Sequence, residues 1–245
     1  MARRNLGDVL HYFISEEEQR EARSAARVHE RPAQPAPSRA PRYCLPADPE
    51  RPLICSLALE LASGMAGELR SARVQSSFAP SPLLPGVPRV RWEVSDDLAA
   101  ALAAVPGDEP AITVERPARL GALLGRISAG DLDGVVLPVE AAPWGLGKAL
   151  GCLRELAPAL ASRRVLGLVV GASSHEAAAN LIARLCGAAR RQHGVEIELL
   201  GELARDAESY RSLLRGESLH ALGAESATAR SLRALCQRLS QRLAA

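Results

Sequence analysis

The run Val165-Leu-Gly-Leu-Val-Val170 is followed by Ser174-His-Glu-Ala-Ala-Ala-Asn-Leu-Ile-Ala-Arg-Leu185, and then by Gly194-Val-Glu-Ile-Glu-Leu-Leu-Gly-Glu-Leu203. A short, unbroken apolar run predicts a strand buried on both faces, because no alternating polar side chain is left for solvent. Ser174 ahead of Glu176 is the start signal of a helix: a hydroxyl for a free backbone N–H and a carboxylate near the positive end of the helix dipole. A second apolar run then begins the next strand. Strand, covering helix and strand in succession make the unit of a parallel sheet.

Working outward, the same alternation fills the chain from residue 42. Strands are expected over 42–45, 89–94, 111–115, 134–139, 165–170 and 195–200. Helices are expected over 52–72, 95–104, 118–128, 144–161, 174–192, 206–215 and 225–243, with Ser95 opening the second of them and Asp206 the sixth. The predicted class is α/β, a mainly parallel twisted sheet with helices on both faces over residues 42–245. Residues 76–88, with four prolines, read as a loop. Ahead of this domain, residues 1–28 read as an amphipathic helix whose apolar stripe includes Leu6, Leu10 and Phe13. Residues 29–41 are a Pro-rich linker, extended rather than packed.

Composition excludes several classes. Lys+Arg total 30 against 28 Asp+Glu, a net of +2, which is no nucleic-acid footprint. Nearly all the cations are arginine, and Lys148 is the single lysine. Arginines recur at 184, 190 and 191 and at 230, 233, 238 and 242; either group would have to form one basic face for DNA to bind, and solvated helix faces are the simpler reading. The five cysteines form no C-x-x-C pair and have no histidine at zinc spacing, so buried free thiols and no metal are expected. The N-terminus is not a signal peptide, and no run of about 18 apolar residues spans a membrane, so a cytoplasmic protein is expected.

In an open parallel sheet, ligands bind at the carboxyl ends of the strands. The first strand-to-helix loop there is Leu45-Pro-Ala-Asp-Pro-Glu-Arg-Pro-Leu-Ile-Cys-Ser56. A loop that cradles phosphate needs glycines so that N–H groups can converge, a lysine for the outer phosphates and a Ser/Thr hydroxyl for Mg²⁺. This one has no glycine, prolines at 46, 49 and 52, and two acids, Asp48 and Glu50. Glu115 and Glu140 lie at strand ends near the expected site; as a pair they could do acid/base work, and as individuals they are solvated strand-end acids or caps. His175, His193 and His220 join no catalytic pattern.

The stretch Asp133-Gly-Val-Val-Leu-Pro-Val-Glu140, with the helix through Ala149-Leu150 and the segments quoted above, resembles the MinD/ParA/FlhG-like P-loop ATPases in order and spacing over residues 42 to 243. Laid on that family's deviant Walker A motif, Pro49 stands at the signature lysine, Ile54 at the phosphate lysine and Cys55 at the Mg²⁺-binding hydroxyl; Asp48, Glu50, Arg51 and Leu53 stand at glycines. Glu115 takes the place of the switch-region aspartate, and Gly171 that of the asparagine that reads adenine. The resemblance therefore implies a degenerate member of a bacterial family: a pseudo-ATPase with no cofactor and no catalytic residues, acting as an interaction or regulatory subunit in the spatial positioning of a motility or surface machine. A protein partner, such as an intact relative, would be met through Leu6, Leu10 and Phe13. The same stripe could instead pack back on its own domain. Without ATP to bridge it, the family's dimer implies here a monomer, or a dimer through other surfaces. Two alternatives stay open: an ATPase that holds ATP and Mg²⁺ with Arg51 and backbone amides, and a DNA-associated ParA-like module.

Overall fold

The computed structural model describes residues 39–48, 50, 52–67, 71–80, 87, 89–160, 163–204, 206, 211–212, 215, 217–222 and 226–241. The expected helix over 1–28, with Leu6, Leu10 and Phe13, and the linker up to residue 38 lie outside them. Seven strands are described: β1 (Arg42–Pro46), β2 (Ala72–Ser76), β3 (Val90–Val94), β4 (Ala111–Glu115), β5 (Gly134–Glu140), β6 (Val165–Ala172) and β7 (Ile197–Ala204). They form one sheet in the order β3-β2-β4-β1-β5-β6-β7, and every adjacent pair is parallel. Six helices are described: α1 (Pro52–Ala66), α2 (Leu98–Ala103), α3 (Pro117–Arg126), α4 (Gly145–Leu160), α5 (His175–His193) and α6 (Ala227–Gln241).

The strands read as continuous apolar runs because both faces of the sheet are covered. On one face, Ile54, Leu57 and Leu61 of α1 and Leu232 and Leu239 of α6 pack on Val74, Ile112 and Val136. On the other, Leu120 and Leu124 of α3, Leu153 and Leu156 of α4, and Ile182 and Leu185 of α5 pack on Val135, Leu137 and Val169. Each such leucine contributes about 1.5–3 kcal/mol by leaving water, and with so few aromatics these side chains carry the core. All five cysteines are free, three of them buried. Among the described residues no helix is long and apolar enough to cross a membrane.

Three expectations are corrected. The first helix does not run to residue 72. It stops at Ala66 because Gly67, at φ 66, takes the left-handed conformation that ends a helix, its N–H bonded to the Ser63 carbonyl at 3.2 Å. Residues 72–76 are instead β2, a strand hidden from a reading of apolar pattern by its polar side chains: Arg73 bonds Glu109 (2.6 Å) and Glu93 (3.0 Å), and buried Gln75 donates to the Ala101 carbonyl (2.9 Å). The second helix is capped by Asp97, not Ser95, since the Asp97 carboxylate accepts from the N–H groups of Ala99 and Ala100. The last strand runs two residues later than expected at its start and four at its end. A register shift places Gly201, φ 154, opposite Leu168 and carries the ladder on to Ala204.

The Asp97 cap has a pH consequence. The Ala100 N–H bond first, then the Arg126 charge, hold its pKa below the usual carboxylate range. A depressed folded pKa means the contribution is present above the unfolded pKa and is lost as pH falls through the folded one. Asp97→Asn keeps an acceptor for the helix end but not the charge, so it should be less stable than wild type at pH 7 and approach it below about pH 4, with a less steep acid-unfolding curve. Parallel curves for the two proteins would refute that assignment.

Candidate functional site

The carboxyl ends of β4, β1, β5 and β6 lie side by side, as the strand order requires. The β1–α1 loop leaves the sheet there. Ala47 N–H donates to the Glu115 carbonyl at 2.9 Å, extending the β1–β4 ladder by one step. The Asp48 carboxylate then turns on the loop itself and accepts the Glu50 N–H at 3.1 Å, an Asx-type turn that uses a backbone donor locally. The Cys55 thiol points at the Asp48 carbonyl, 3.8 Å away, and is buried. Ile54 has no exposed surface and belongs to the core under α1. Glu50 is exposed. Pro49 and Arg51 lie outside the described residues.

Glu115 and Glu140 do not form a carboxylate pair. Side chains alternate along a strand; in β4, Ile112 and Val114 take the α1 face, which sends Glu115 to the α3 face. In β5, Val135, Leu137 and Val139 take the α3 face, which sends Glu140 to the α1 face. Glu115 is 1% exposed. One of its oxygens accepts the Arg116 N–H at 2.8 Å and the other, equally buried, has no hydrogen-bond partner among the described residues. Glu140 instead accepts from the Trp144 indole N–H at 3.3 Å, and the Lys148 ammonium lies 6.0 Å from the centre of the Trp144 ring, at the outer limit of a cation–π contact. Trp144 is 58% exposed. Its position is set by Gly145, on which a Cβ would overlap the Glu140 carbonyl oxygen.

At the end of β6, Gly171 has φ 80, a conformation side chains resist. Ser174 caps α5, accepting the Ala177 N–H at 3.1 Å, and the His175 ring stands 3.2 Å from Glu202. Asp206 does not open a described helix; its carboxylate accepts the hydroxyl of Ser226, at the start of α6. Among the described residues no cluster of His, Cys, Asp and Glu could hold a metal ion. The two arginine groups do not share a face: 184, 190 and 191 ride on α5 on one side of the sheet, and 230, 233 and 238 on α6 on the other. At the opposite, amino edge a cleft of about 510 Å³ is lined by Arg163, Arg164, His193 and Glu196. Arg163 there donates to the Leu124 and Ile127 carbonyls, at 2.8 and 2.6 Å, at the end of α3.

No protein-family model matches the chain, and no curated protein matches it. Solved structures do. A chain of the MinC:MinD cell division protein complex of Aquifex aeolicus superposes with a TM-score of 0.57, covering 82% of this chain and 96% of that one at 10% identity. The fold is that of a MinD-like P-loop ATPase. The MinD cell division protein of the same organism gives 0.56 over 82% and 97%, at 8% identity. On a MinD-like fold the β1–α1 loop occupies the place where the sequence resemblance sets the deviant Walker A motif. At these identities the likeness carries the architecture and no residue's role.

One group at a distance from this edge had no signal in the sequence. Glu60, Ser218 and His220 meet across some 160 positions of chain, joined by the topology alone.

Proposed function

We propose that this chain is a non-catalytic MinD/ParA-like protein, a pseudo-ATPase that keeps the fold and serves as an interaction or regulatory subunit. The observation that carries this reading is the state of the β1–α1 loop. A phosphate cradle works by presenting free N–H groups and a cation to the ligand. Here the Glu50 N–H is held by Asp48, and prolines at 46, 49 and 52 have none to give. The side chain at the phosphate-lysine position, Ile54, is core, and that at the hydroxyl position, Cys55, is a buried thiol facing a carbonyl. Asp48 and Glu50 would also repel a polyphosphate. The described loop thus offers neither a lysine nor a free hydroxyl at the positions where the family holds Mg·ATP.

A protein partner fits the same reading. One structural neighbour is a complex, MinC with MinD, and residues 1–28 carry the stripe Leu6, Leu10 and Phe13 suited to a partner's groove. Positioning of a motility or surface machine is the process we favour, by the resemblance of the sequence to FlhG-type proteins.

Calorimetric titration with ATP and Mg²⁺, repeated with ADP, tests the proposal. No heat of binding up to millimolar nucleotide is expected, and no nucleotide-dependent change in sedimentation. Micromolar binding would overturn it, and Arg51→Ala with a hydrolysis assay would then be decisive for the ATPase alternative. In partner capture, the chain lacking residues 1–30 should retain little of what the full chain retains.

A further inference from the structure

Glu60 is the one charged residue of α1 and is 0% exposed. Both of its carboxyl oxygens are engaged by a single short segment, residues 217–222, which passes over α1 and contains a 3-10 turn, Leu219–Ala221. The Leu219 N–H donates to Oε1 at 2.7 Å, and the Ser218 hydroxyl to Oε2 at 2.9 Å. His220 closes the group: its Nε2 lies 2.8 Å from the Glu60 carbonyl oxygen and 3.6 Å from Oε2, while its N–H donates to Ser218 Oγ at 3.2 Å. Leu219, 1% exposed, is set into the core beside them. The strap is thus fastened by one buried carboxyl, by His220 on the Glu60 carbonyl and by Leu219, with Leu222 also packed against the core.

We propose that residues 217–222 form a proton-operated latch on α1, closed while Glu60 holds a proton and released when that carboxyl ionises. The neighbours of Glu60 make it sensitive. From the strap, His220 faces it; from α6, the Cys236 thiol does. On β1, Tyr43 shares this side of the sheet but donates to the Leu239 carbonyl. Arg73, Arg91, Glu93 and Glu115 leave β2, β3 and β4 on the opposite face, since Val74, Val90, Trp92, Ile112 and Val114 take this one. On α6, Arg233 and Arg238 are exposed and bond the Ala229 and Leu200 carbonyls. Arg230 is exposed on the same helix. Among these groups His220 is the one whose protonated form would favour the ionised carboxyl.

Burial raises the Glu60 pKa above the usual carboxylate value, opposed by the Leu219 bond, the His220 charge and the Ser218 bond. The sign follows. The closed state binds the proton more tightly than the open, water-exposed state, so closure is favoured at low pH and weakens as pH rises through the closed-state pKa. The neutral acid keeps the geometry: Oε1 still accepts the Leu219 N–H, and the Ser218 hydroxyl turns to accept from Oε2–H. Release would uncover the Leu219 site and Cys236, whose pKa burial pushes up to about 12.

Hydrogen exchange of the Leu219 amide in the full chain, corrected for intrinsic exchange and compared with the Val136 amide of β5, tests the latch. In wild type, Leu219 protection should fall up to about tenfold per pH unit over the interval in which Glu60 titrates, while Val136 protection holds. The ¹³Cδ resonance of Glu60 should titrate over that same interval, a readout that needs no variant. Glu60→Gln, which copies the neutral acid, should hold Leu219 protection constant across it. Protection that does not change with pH in wild type, that falls equally in Glu60→Gln, or that falls outside the interval of the Glu60 titration would each overturn the proposal.

Discussion

Gly145→Ala should lower the stability of the domain by about 3 kcal/mol, toward the upper end of what overpacking costs. The reason is a backbone contact that no side chain can relieve. A Cβ at residue 145 would overlap the carbonyl oxygen of Glu140, and the turn between them is already closed by the Gly145 N–H bond to the Ala142 carbonyl at 2.9 Å. To make room, the end of β5 and the start of α4 must part. For a domain of this size the loss is a melting-temperature drop of roughly 6–12 °C, and a denaturant titration should show a lower midpoint at unchanged slope. Gly147 supplies the control from the same helix turn. A Cβ there meets nothing within 4 Å, so Gly147→Ala should stabilise by about 0.5–1 kcal/mol, the ordinary gain of replacing glycine in a helix. If both variants moved in the same direction, the close turn at the mouth of the site would be wrong.

Arg42→Ala should cost a similar amount, about 3 kcal/mol, for a different reason. The Arg42 side chain runs buried from β1 to the end of α2, where its guanidinium donates to the Val105 carbonyl at 2.7 Å and reaches those of Leu102 and Pro106 at 3.4 Å. The Leu102 and Pro106 carbonyls also accept the N–H groups of Val105 and Glu109, at 3.2 and 3.1 Å, so truncation takes the donor chiefly from the buried Val105 carbonyl, at about 1–3 kcal/mol, besides the lost packing of the stem. Burial first, then the charge of Arg39, pull the Arg42 pKa down, with Asp131 and Asp133 working against them. Arg42→Lys should recover only part of the loss, because an ammonium can serve one carbonyl but not a fork of them. Equilibrium unfolding of the two variants, Lys intermediate between wild type and Ala, is the check. A lysine variant as stable as wild type would mean that charge alone, not the fork, matters at that helix end.

The sheet was largely legible because its strands advertise themselves. β4, β5 and β6 are runs of small and branched apolar residues, and burial on both faces leaves them no reason to be otherwise. β2 was not legible for the converse reason: Arg73, Ser76 and the Gln75 amide N–H find partners inside the protein, and Gln75 Oε1 is buried with none among the described residues, so a buried strand looks like a solvated one. The boundary of α1 was set by the backbone of Gly67, in a stretch whose alanines and leucine continue a helical pattern. At the candidate site, the absence of glycine and lysine from residues 45–56 was plain in the chain. The closure of Asp48 on the Glu50 N–H needed the fold, as did the parting of Glu115 and Glu140 to opposite faces, which depends on where each strand's alternation starts. Nothing local could bring Glu60 to Ser218 and His220.

The strand order also bears on how the molecule is made. β1 lies in the middle of the sheet, with Arg42 beside Ala111 on one side and Tyr43 beside Gly134 on the other. During synthesis it leaves the ribosome well before either neighbour, and must wait for most of the first hundred residues of the domain before it can pair. Its apolar residues, Leu45 and Tyr43 among them, stay uncovered through that interval, the circumstance in which slow, non-local parallel sheets are open to misassembly. A nascent chain halted before residue 111 holds the domain's central strand with no partner on either side.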